Sequence, residues 1–215
     1  MLSVVRLLPA VLDRTGPRKL WRVLAALLTL GVVAGCAQTG TAPSSSPASS
    51  DGSQLQVVAS FYPLAFVATE VGGARVQVTG LTPPGAEPHD LELTAQQVAT
   101  LSEADLVVYL ASFQPAVDAA VDTRSETGAS TGGTDAGVLE VGAVAGVHGG
   151  DPHFWLDPTR LATVATAVAE RYGELDPAGR ASYQANARTL NAQLSQLDAD
   201  YQAGLASCRS RDLVV

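Results

Sequence analysis

Cysteine and histidine are both scarce in this sequence. Its 215 residues contain two cysteines, Cys36 and Cys208, and three histidines, His89, His148 and His153. Two cysteines are too few for a disulfide framework or for a zinc module built from several cysteines. Small disulfide-stabilised proteins and proteins built around a multi-cysteine zinc site are therefore excluded.

Charged residues are also few, and the basic ones are unevenly distributed. They make up 16% of the chain against 47% hydrophobic residues, a balance that permits a packed core and excludes wholesale disorder. Five of the thirteen Lys and Arg residues lie in the first 22 positions, so the rest of the chain is strongly acidic. Because an acidic surface repels phosphate backbones, we expect no nucleic-acid partner and favour cations as ligands.

The first 35 residues are typical of an export signal. A basic segment is followed by the apolar run Val23–Val33, which is too short for a permanent membrane helix. The run ends in Val33-Ala-Gly-Cys36, where small residues directly before a cysteine resemble the bacterial lipobox. That resemblance implies cleavage before Cys36 and attachment of lipid to its sulfur. The alternative is a signal anchor with an incidental cysteine.

Residues 36–54 predict a flexible tether, because Ser, Thr, Pro and Gly dominate them and little in the segment can pack. We therefore expect the folded part to begin near Leu55 and to be exported. The lipid on Cys36 would hold it at the outer face of the cytoplasmic membrane, in the periplasm if the cell has two membranes.

From Leu55 onward, short apolar runs alternate with helical patterns, which predicts an α/β fold with a parallel sheet. The segment 82–90 contains three prolines and a glycine and is predicted as an irregular loop. Residues 123–150 are predicted as a mobile loop with one weak strand at 137–141. The predicted strands and helices before that loop cover residues 55–60, 61–71, 75–81, 94–103, 105–110 and 115–121.

Two Leu-Asp-Pro triplets predict the starts of two further helices, since Asp favours the N-cap and Pro the first turn. Asp157 would cap a helix that runs to about Tyr172, and Asp176 would cap one over residues 178–206. The second helix would be about 40 Å long, so we expect it to cross from one lobe toward another. The final residues 212–215 predict the start of a strand, and we expect the chain to be a fragment.

Two histidines lie where predicted strand regions give way to helices, the edge of an open α/β sheet at which ligands bind. His89 lies in Glu87-Pro-His-Asp90 and His153 in Asp151-Pro-His153. In both motifs a proline restricts the backbone, and a nearby acid, Asp90 or Asp151, can accept the second imidazole N–H. Such an acceptor is typical of histidines that bind metal.

Neutral imidazole is a favoured zinc ligand, so the pattern predicts a metal site on His89 and His153. Glu87 and His148 are further candidate donors. The competing interpretation is that each histidine is a solvated or capping loop residue. Phe154 and Trp155, beside the second histidine, are expected to pack at an interface between lobes.

Four segments together resemble the solute-binding lipoproteins of zinc and manganese ABC importers, and the resemblance covers residues 55–215 in order. It implies two α/β lobes joined by one long rigid helix, with the metal in the cleft between them. Residues 55–176 would form the N-terminal lobe, 177–207 the connecting helix and 208–215 the start of a C-terminal lobe that is missing. The four segments are Val58-Ala-Ser-Phe-Tyr-Pro-Leu64, Gly72-Gly73, Leu81-Thr-Pro-Pro-Gly-Ala-Glu-Pro-His-Asp-Leu-Glu92 and Asp151-Pro-His-Phe-Trp-Leu-Asp-Pro158.

The same resemblance implies the function. His89 and His153 match the two ligands of the N-terminal lobe, which implies capture of zinc, with manganese as the alternative, by a monomer that delivers the ion to an ABC importer permease. The family's third histidine and its fourth ligand, usually an acid, would come from the missing lobe. The loop that is often crowded with His and acids in zinc-binding members has only His148 here. We expect Cys208 to form a disulfide to that lobe in complete relatives and to be a free thiol in this chain.

Two other function classes compete with this one. An exported zinc hydrolase with Glu87 as its base would need a catalytic motif such as HExxH, which the sequence lacks. A surface adhesin or structural lipoprotein would explain the tether but not the paired Pro-His motifs. We therefore expect a metal-binding protein and not an enzyme.

We predict that Cys36→Ser releases the protein from the membrane. A diacylglyceryl unit with a third acyl chain anchors far more firmly than one chain, because each buried CH₂ contributes about 0.8 kcal/mol. The measurement is fractionation of cells at high salt, with Cys208→Ser as the matched control that should stay membrane-bound. If processed Cys36→Ser protein remained in the membrane fraction, lipid attachment at this residue would be wrong.

Overall fold

The computed structural model describes residues 54–126, 137–148 and 150–210. The predicted signal with Cys36, the tether, part of the predicted mobile loop and the predicted final strand lie outside these residues. The described strands and helices, in chain order, are β1 (Leu55–Ala59), α1 (Tyr62–Gly72), β2 (Val76–Gly80), α2 (Ala95–Glu103), β3 (Leu106–Tyr109), α3 (Pro115–Glu126), β4 (Val138–Glu140), α4 (Pro158–Leu175) and α5 (Arg180–Leu205).

The four strands form one sheet in the order β2-β1-β3-β4, and every neighbouring pair is parallel. Side chains of the central strands alternate between two buried faces, with Val57 and Val108 on one and Val58 and Val107 on the other. Helices α1, α4 and α5 cover the first face, and α2 and α3 cover the second. Burial on both faces explains why these strands are continuous apolar runs. The predicted parallel α/β fold is confirmed.

Two helices begin at the capping residues that the sequence predicts. The Thr94 hydroxyl accepts a hydrogen bond from the Gln97 backbone N–H at 3.2 Å, and the Gln97 side chain accepts one from the Thr94 N–H at 3.0 Å. The Asp157 carboxylate accepts the N–H groups of Thr159 and Arg160 at the start of α4. These bonds pair backbone donors that have no partner within the helix.

The prediction that Asp176 caps the long helix is wrong. Helix α5 begins only at Arg180, and Asp176 lies at the end of α4 instead. Its carboxylate accepts hydrogen bonds from the Gly179 N–H at 3.1 Å, the Arg75 guanidinium at 2.8 Å and the Tyr183 hydroxyl at 2.7 Å. Asp176 therefore joins the turn between α4 and α5 to the start of β2.

Helix α3 extends five residues beyond its predicted end at 121, because Arg124 is anchored in the interior. Arg124 is 2% exposed, and its guanidinium donates hydrogen bonds to the carbonyls of Leu101, Ser102 and Ala104 at 2.7 to 2.8 Å. Those carbonyls belong to the end of α2. The arginine thus secures the ends of both helices.

Helix α5 is 26 residues long, about 39 Å, and only its first half is covered. Its buried residues, which end at Leu194, pack against α1 and α4. Beyond them Leu197, Tyr201 and Leu205 are 44%, 60% and 59% exposed. Within the described ranges, no helix combines the length and the apolar character that a membrane span requires.

We predict that Asp176→Asn lowers the free energy of unfolding at pH 7 by about 1 kcal/mol. Desolvation raises the pKa of Asp176, but the hydrogen bonds from Tyr183, Arg75 and Gly179 outweigh it and leave the pKa lowered. A carboxylate with a lowered pKa stabilises the fold above its unfolded pKa of about 4, and this contribution is lost as the pH falls through the folded value.

The measurement is urea unfolding at pH 7 and near pH 3. The difference between the parent protein and Asp176→Asn should shrink at the lower pH, where the parent carboxyl is also neutral. Asp198→Asn is the control, because within the described residues the partly exposed Asp198 accepts a hydrogen bond only from Gln202 on its own helix. A difference that stayed the same at both pH values would contradict an ionised Asp176 in the folded protein.

Candidate metal site

The parallel sheet brings the two Pro-His motifs to one edge. Strands β1, β2 and β3 end at that edge, and the His89 loop, which we define as residues 82–90, follows β2. His153 lies in the connection that leads from β4 to α4. This is the edge at which ligands bind in open α/β sheets.

His89 and His153, the histidine pair, face each other across a short gap. Their ring centres are 5.8 Å apart with the ring planes at 58°, and both side chains are exposed. Two imidazoles on one zinc ion, each with its nitrogen about 2.0–2.1 Å from the metal, have ring centres roughly 5–6 Å apart. The spacing of the pair therefore fits a single shared ion.

The His153 ring is oriented by a carboxylate two residues before it. The Asp151 carboxylate lies 2.8 Å from Nδ1 of the ring and also accepts the His153 backbone N–H at 3.0 Å. Hydrogen bonds from that backbone N–H and from the ring hold the pKa of Asp151 below its ordinary value, so the acceptor stays ionised. With Nδ1 engaged, Nε2 is the nitrogen left to bind a metal.

The His89 ring has a different environment. It packs against the edge of Phe113, with ring centres 4.5 Å apart, and the His89 backbone N–H donates to the Glu87 carboxylate at 3.2 Å. In this described loop Asp90 makes no hydrogen bond to the His89 ring, unlike the arrangement predicted from the sequence. Of the two acids expected to orient the histidine rings, Asp151 does so and Asp90 does not.

Three aromatic rings, Phe61, Phe113 and Trp155, lie beneath the histidine pair and form what we call the aromatic cluster. Their ring centres are 4.8 to 5.7 Å apart in pairs, and Trp155 lies 5.1 Å from the His153 ring. Phe154 is fully buried in the core of this part of the chain, so its predicted place at an interface between lobes is wrong. Trp155 is partly exposed beside the aromatic cluster, and its predicted interface role stays a prediction. Sequence reasoning missed Phe61 and Phe113, which follow β1 and β3 at the same edge.

The other candidate donors do not complete the site. His148 is exposed in the turn after β4, and Glu87 is bonded to the backbone of its own loop. Among the residues that the structure describes, no three His, Cys, Asp or Glu side chains are grouped closely enough to hold a metal ion. This part of the chain therefore offers two nitrogen donors above the aromatic cluster.

Comparison with known proteins assigns the family. Residues 57–215 match the family model described as ZnuA, zinc-uptake complex component A, periplasmic. The chain belongs to the ZnuA family. The match includes every strand and helix described above apart from the first two residues of β1, and it includes both histidines of the pair.

Curated relatives of this ZnuA-family chain carry names of metal uptake proteins. The high-affinity zinc uptake system protein ZnuA of Bacillus subtilis is 25% identical over 202 residues, 86% of this chain and 63% of that protein. The metal ABC transporter substrate-binding lipoprotein SsaB of Streptococcus sanguinis is 30% identical over 161 residues, 70% of this chain and 52% of that protein. The chain thus spans about half to two thirds of the length of these two relatives.

Solved structures of ZnuA-like proteins share the fold. The Zn(II)-bound ZnuA-like domain of Streptococcus pneumoniae AdcA matches with a TM-score of 0.62 and 26% identity, over 73% of this chain and 57% of that one. The laminin-binding protein Lmb of Streptococcus agalactiae, described as having adhesin and metal transporting activity, matches with a TM-score of 0.59 and 27% identity, over 73% and 58%. The parallel α/β architecture described above is that of ZnuA-like proteins.

We predict that Asp151→Asn weakens zinc binding about ten- to a hundredfold, because an amide oxygen holds an imidazole N–H less strongly than a carboxylate does. Asp90→Asn is the matched control. It makes the same change beside the other histidine, where the carboxylate has no bond to the ring. The measurement is competition with a zinc-indicator dye, and equal losses in the two variants would contradict a specific role for Asp151.

Proposed function

We propose that this chain captures a divalent transition metal outside the cytoplasmic membrane and presents it to the permease of an ABC importer. The histidine pair is the observation that carries the proposal, since two imidazoles 5.8 Å apart can share one ion. Membership of the ZnuA family and the names of the relatives support the same role. The metal is cargo in this role, and its release matters as much as its capture.

Zinc is the first candidate for the metal. Imidazole nitrogen is a preferred zinc donor, whereas manganese is bound mainly through carboxylate, carbonyl and water oxygen. In the described residues the histidine pair provides nitrogen donors, and the carboxylate of Asp151 is engaged with the His153 ring. The zinc-bound domain of AdcA, similar in fold, also supports zinc.

The protein is proposed to work at the outer face of the membrane, tethered through Cys36. The support is the sequence pattern before Cys36 together with the similarity to SsaB, whose name describes a lipoprotein. A tether of about twenty polar residues would let the folded part reach a permease in the same membrane. We expect the chain to act as a monomer.

Catalysis and adhesion explain the structure less well. A hydrolase would need a free base near the metal, but the Glu87 carboxylate accepts a hydrogen bond from the His89 backbone. An adhesin role has the similarity to Lmb in its favour, a protein described with both activities. Metal binding explains the paired histidines, whereas adhesion does not. Metal binding is therefore the stronger proposal.

The test is zinc binding by purified residues 36–215, measured by calorimetry. We expect one zinc ion, bound weakly and reversibly, because the described residues supply two protein donors where zinc takes four ligands. His89→Ala and His153→Ala should each nearly abolish binding, whereas His148→Ala, the matched control, should change it little. Binding should also weaken as the pH falls below about 6, because only neutral imidazole binds zinc.

Two outcomes would contradict the proposal. Parental affinity in both His89→Ala and His153→Ala would show that the site lies elsewhere. A loss in His148→Ala as large as in those variants would show that the Gly-rich segment before α4 supplies a ligand. Circular dichroism of each variant separates loss of the site from loss of the fold.

A further inference from the structure

A buried glutamine lies directly behind the His89 loop. Gln114 precedes α3 and is 1% exposed. Its amide nitrogen donates one hydrogen bond to the Pro88 carbonyl at 2.9 Å and another to the Thr82 hydroxyl at 3.1 Å. The Thr82 hydroxyl donates in turn to the Ser60 carbonyl at 2.8 Å, at the end of β1. This chain of bonds links the loops after β1, β2 and β3.

The orientation of the Gln114 amide follows from its partners. The Pro88 carbonyl can only accept, and the proton of the Thr82 hydroxyl is already donated to Ser60. Both amide protons of Gln114 are therefore used, one for each partner. Its amide oxygen, buried beside them, has no hydrogen-bond partner in the part of the chain that the structure describes.

An unpaired buried oxygen costs stability, and an apolar side chain of the same size would avoid that cost. Gln114 is therefore not the residue that stability alone would favour at this position. Both of its donors bind the His89 loop, one at Thr82 and one at the carbonyl of Pro88. The second bond holds the peptide immediately before His89.

The His89 loop has almost no other attachment to the fold. Within residues 83–90 the bonds are local, from Ala86 N–H to the Pro83 carbonyl and from His89 N–H to Glu87. Among the described residues, the Gln114 bond to Pro88 is the single hydrogen bond that ties these eight residues to the rest of the fold. The neighbouring Phe113 ring packs on the His89 ring, so one turn holds both the peptide and the side chain.

We propose that Gln114 is a positioning residue of the metal site, which holds His89 at the distance from His153 that a shared ion requires. This inference rests on the proposed metal-binding function. Without the amide bond, the loop would explore many conformations, and binding would have to select the competent one. The apparent affinity would then be the intrinsic affinity multiplied by the fraction of time in which the histidine pair is correctly spaced.

The test compares Gln114→Met with Arg124→Met. Gln114→Met keeps the side-chain length and removes both donors together with the unpaired oxygen, so thermal stability should change little. Arg124→Met removes another buried side chain that binds backbone carbonyls, on the opposite face of the sheet from α4. It should lower the melting temperature and leave zinc affinity near that of the parent.

We expect Gln114→Met to weaken zinc binding about tenfold or more, in the range typical of residues that orient metal ligands. Gln114→Asn, which stays polar but is too short to reach Pro88, should show a similar loss and guards against a folding defect in the first variant. In the metal-free protein, the NMR signals of the His89 ring should move toward those of a solvated imidazole. The His153 signals should stay in place.

The outcomes separate this inference from the proposed function. A parent protein that binds no zinc overturns the proposed function and the positioning role with it. Equal zinc affinity in the parent and in both Gln114 variants, with unchanged His89 signals, overturns the positioning role alone. Equal loss of affinity in Arg124→Met would show that general stability, not the position of His89, controls binding.

Discussion

The candidate metal site depends on the parallel pairing of β1 with both of its neighbours. Val58 of β1 is in register with Thr79 of β2 and with Val107 of β3, so the three strands end nearly level. The segments that follow them therefore start at one edge, although they are far apart in sequence. A shift of register by one residue would exchange the two buried faces and separate these segments. The strand register that packs the core of the sheet therefore also fixes the geometry of the candidate site.

The two histidines are held in different ways. His153 is fixed locally, because Asp151 binds both its ring and its backbone within the same short turn. His89 belongs to a proline-rich loop and is fixed from outside, through Phe113 beside its ring and Gln114 behind its peptide. A site assembled in this way combines one rigid ligand with one whose position depends on tertiary packing. Such a division would suit the proposed function, in which an ion is bound and then given up.

The parts of the fold that were predictable are those governed by neighbouring residues. The capping box at Thr94 and the cap at Asp157 involve partners within three positions, and the central strands are apolar runs of fixed length. The histidine pair was also found in this way, because each Pro-His motif follows a predicted strand region. The parts that were missed depend on distant partners. Asp176 does not cap the start of the long helix but binds Arg75, 101 residues away in the sequence, and Gln114 has no motif around it at all.

The position of Trp155 gives the protein an optical property. Its indole lies 5.1 Å from the His153 ring and within the aromatic cluster, and it is the single tryptophan in the described residues. The other tryptophan in the sequence, Trp21, falls in the predicted signal. If the predicted signal is removed, fluorescence would come from one chromophore beside His153, a proposed metal ligand. Any change in the charge of that imidazole alters the field at the excited ring, so the intensity and colour of the emission report directly on the state of the site.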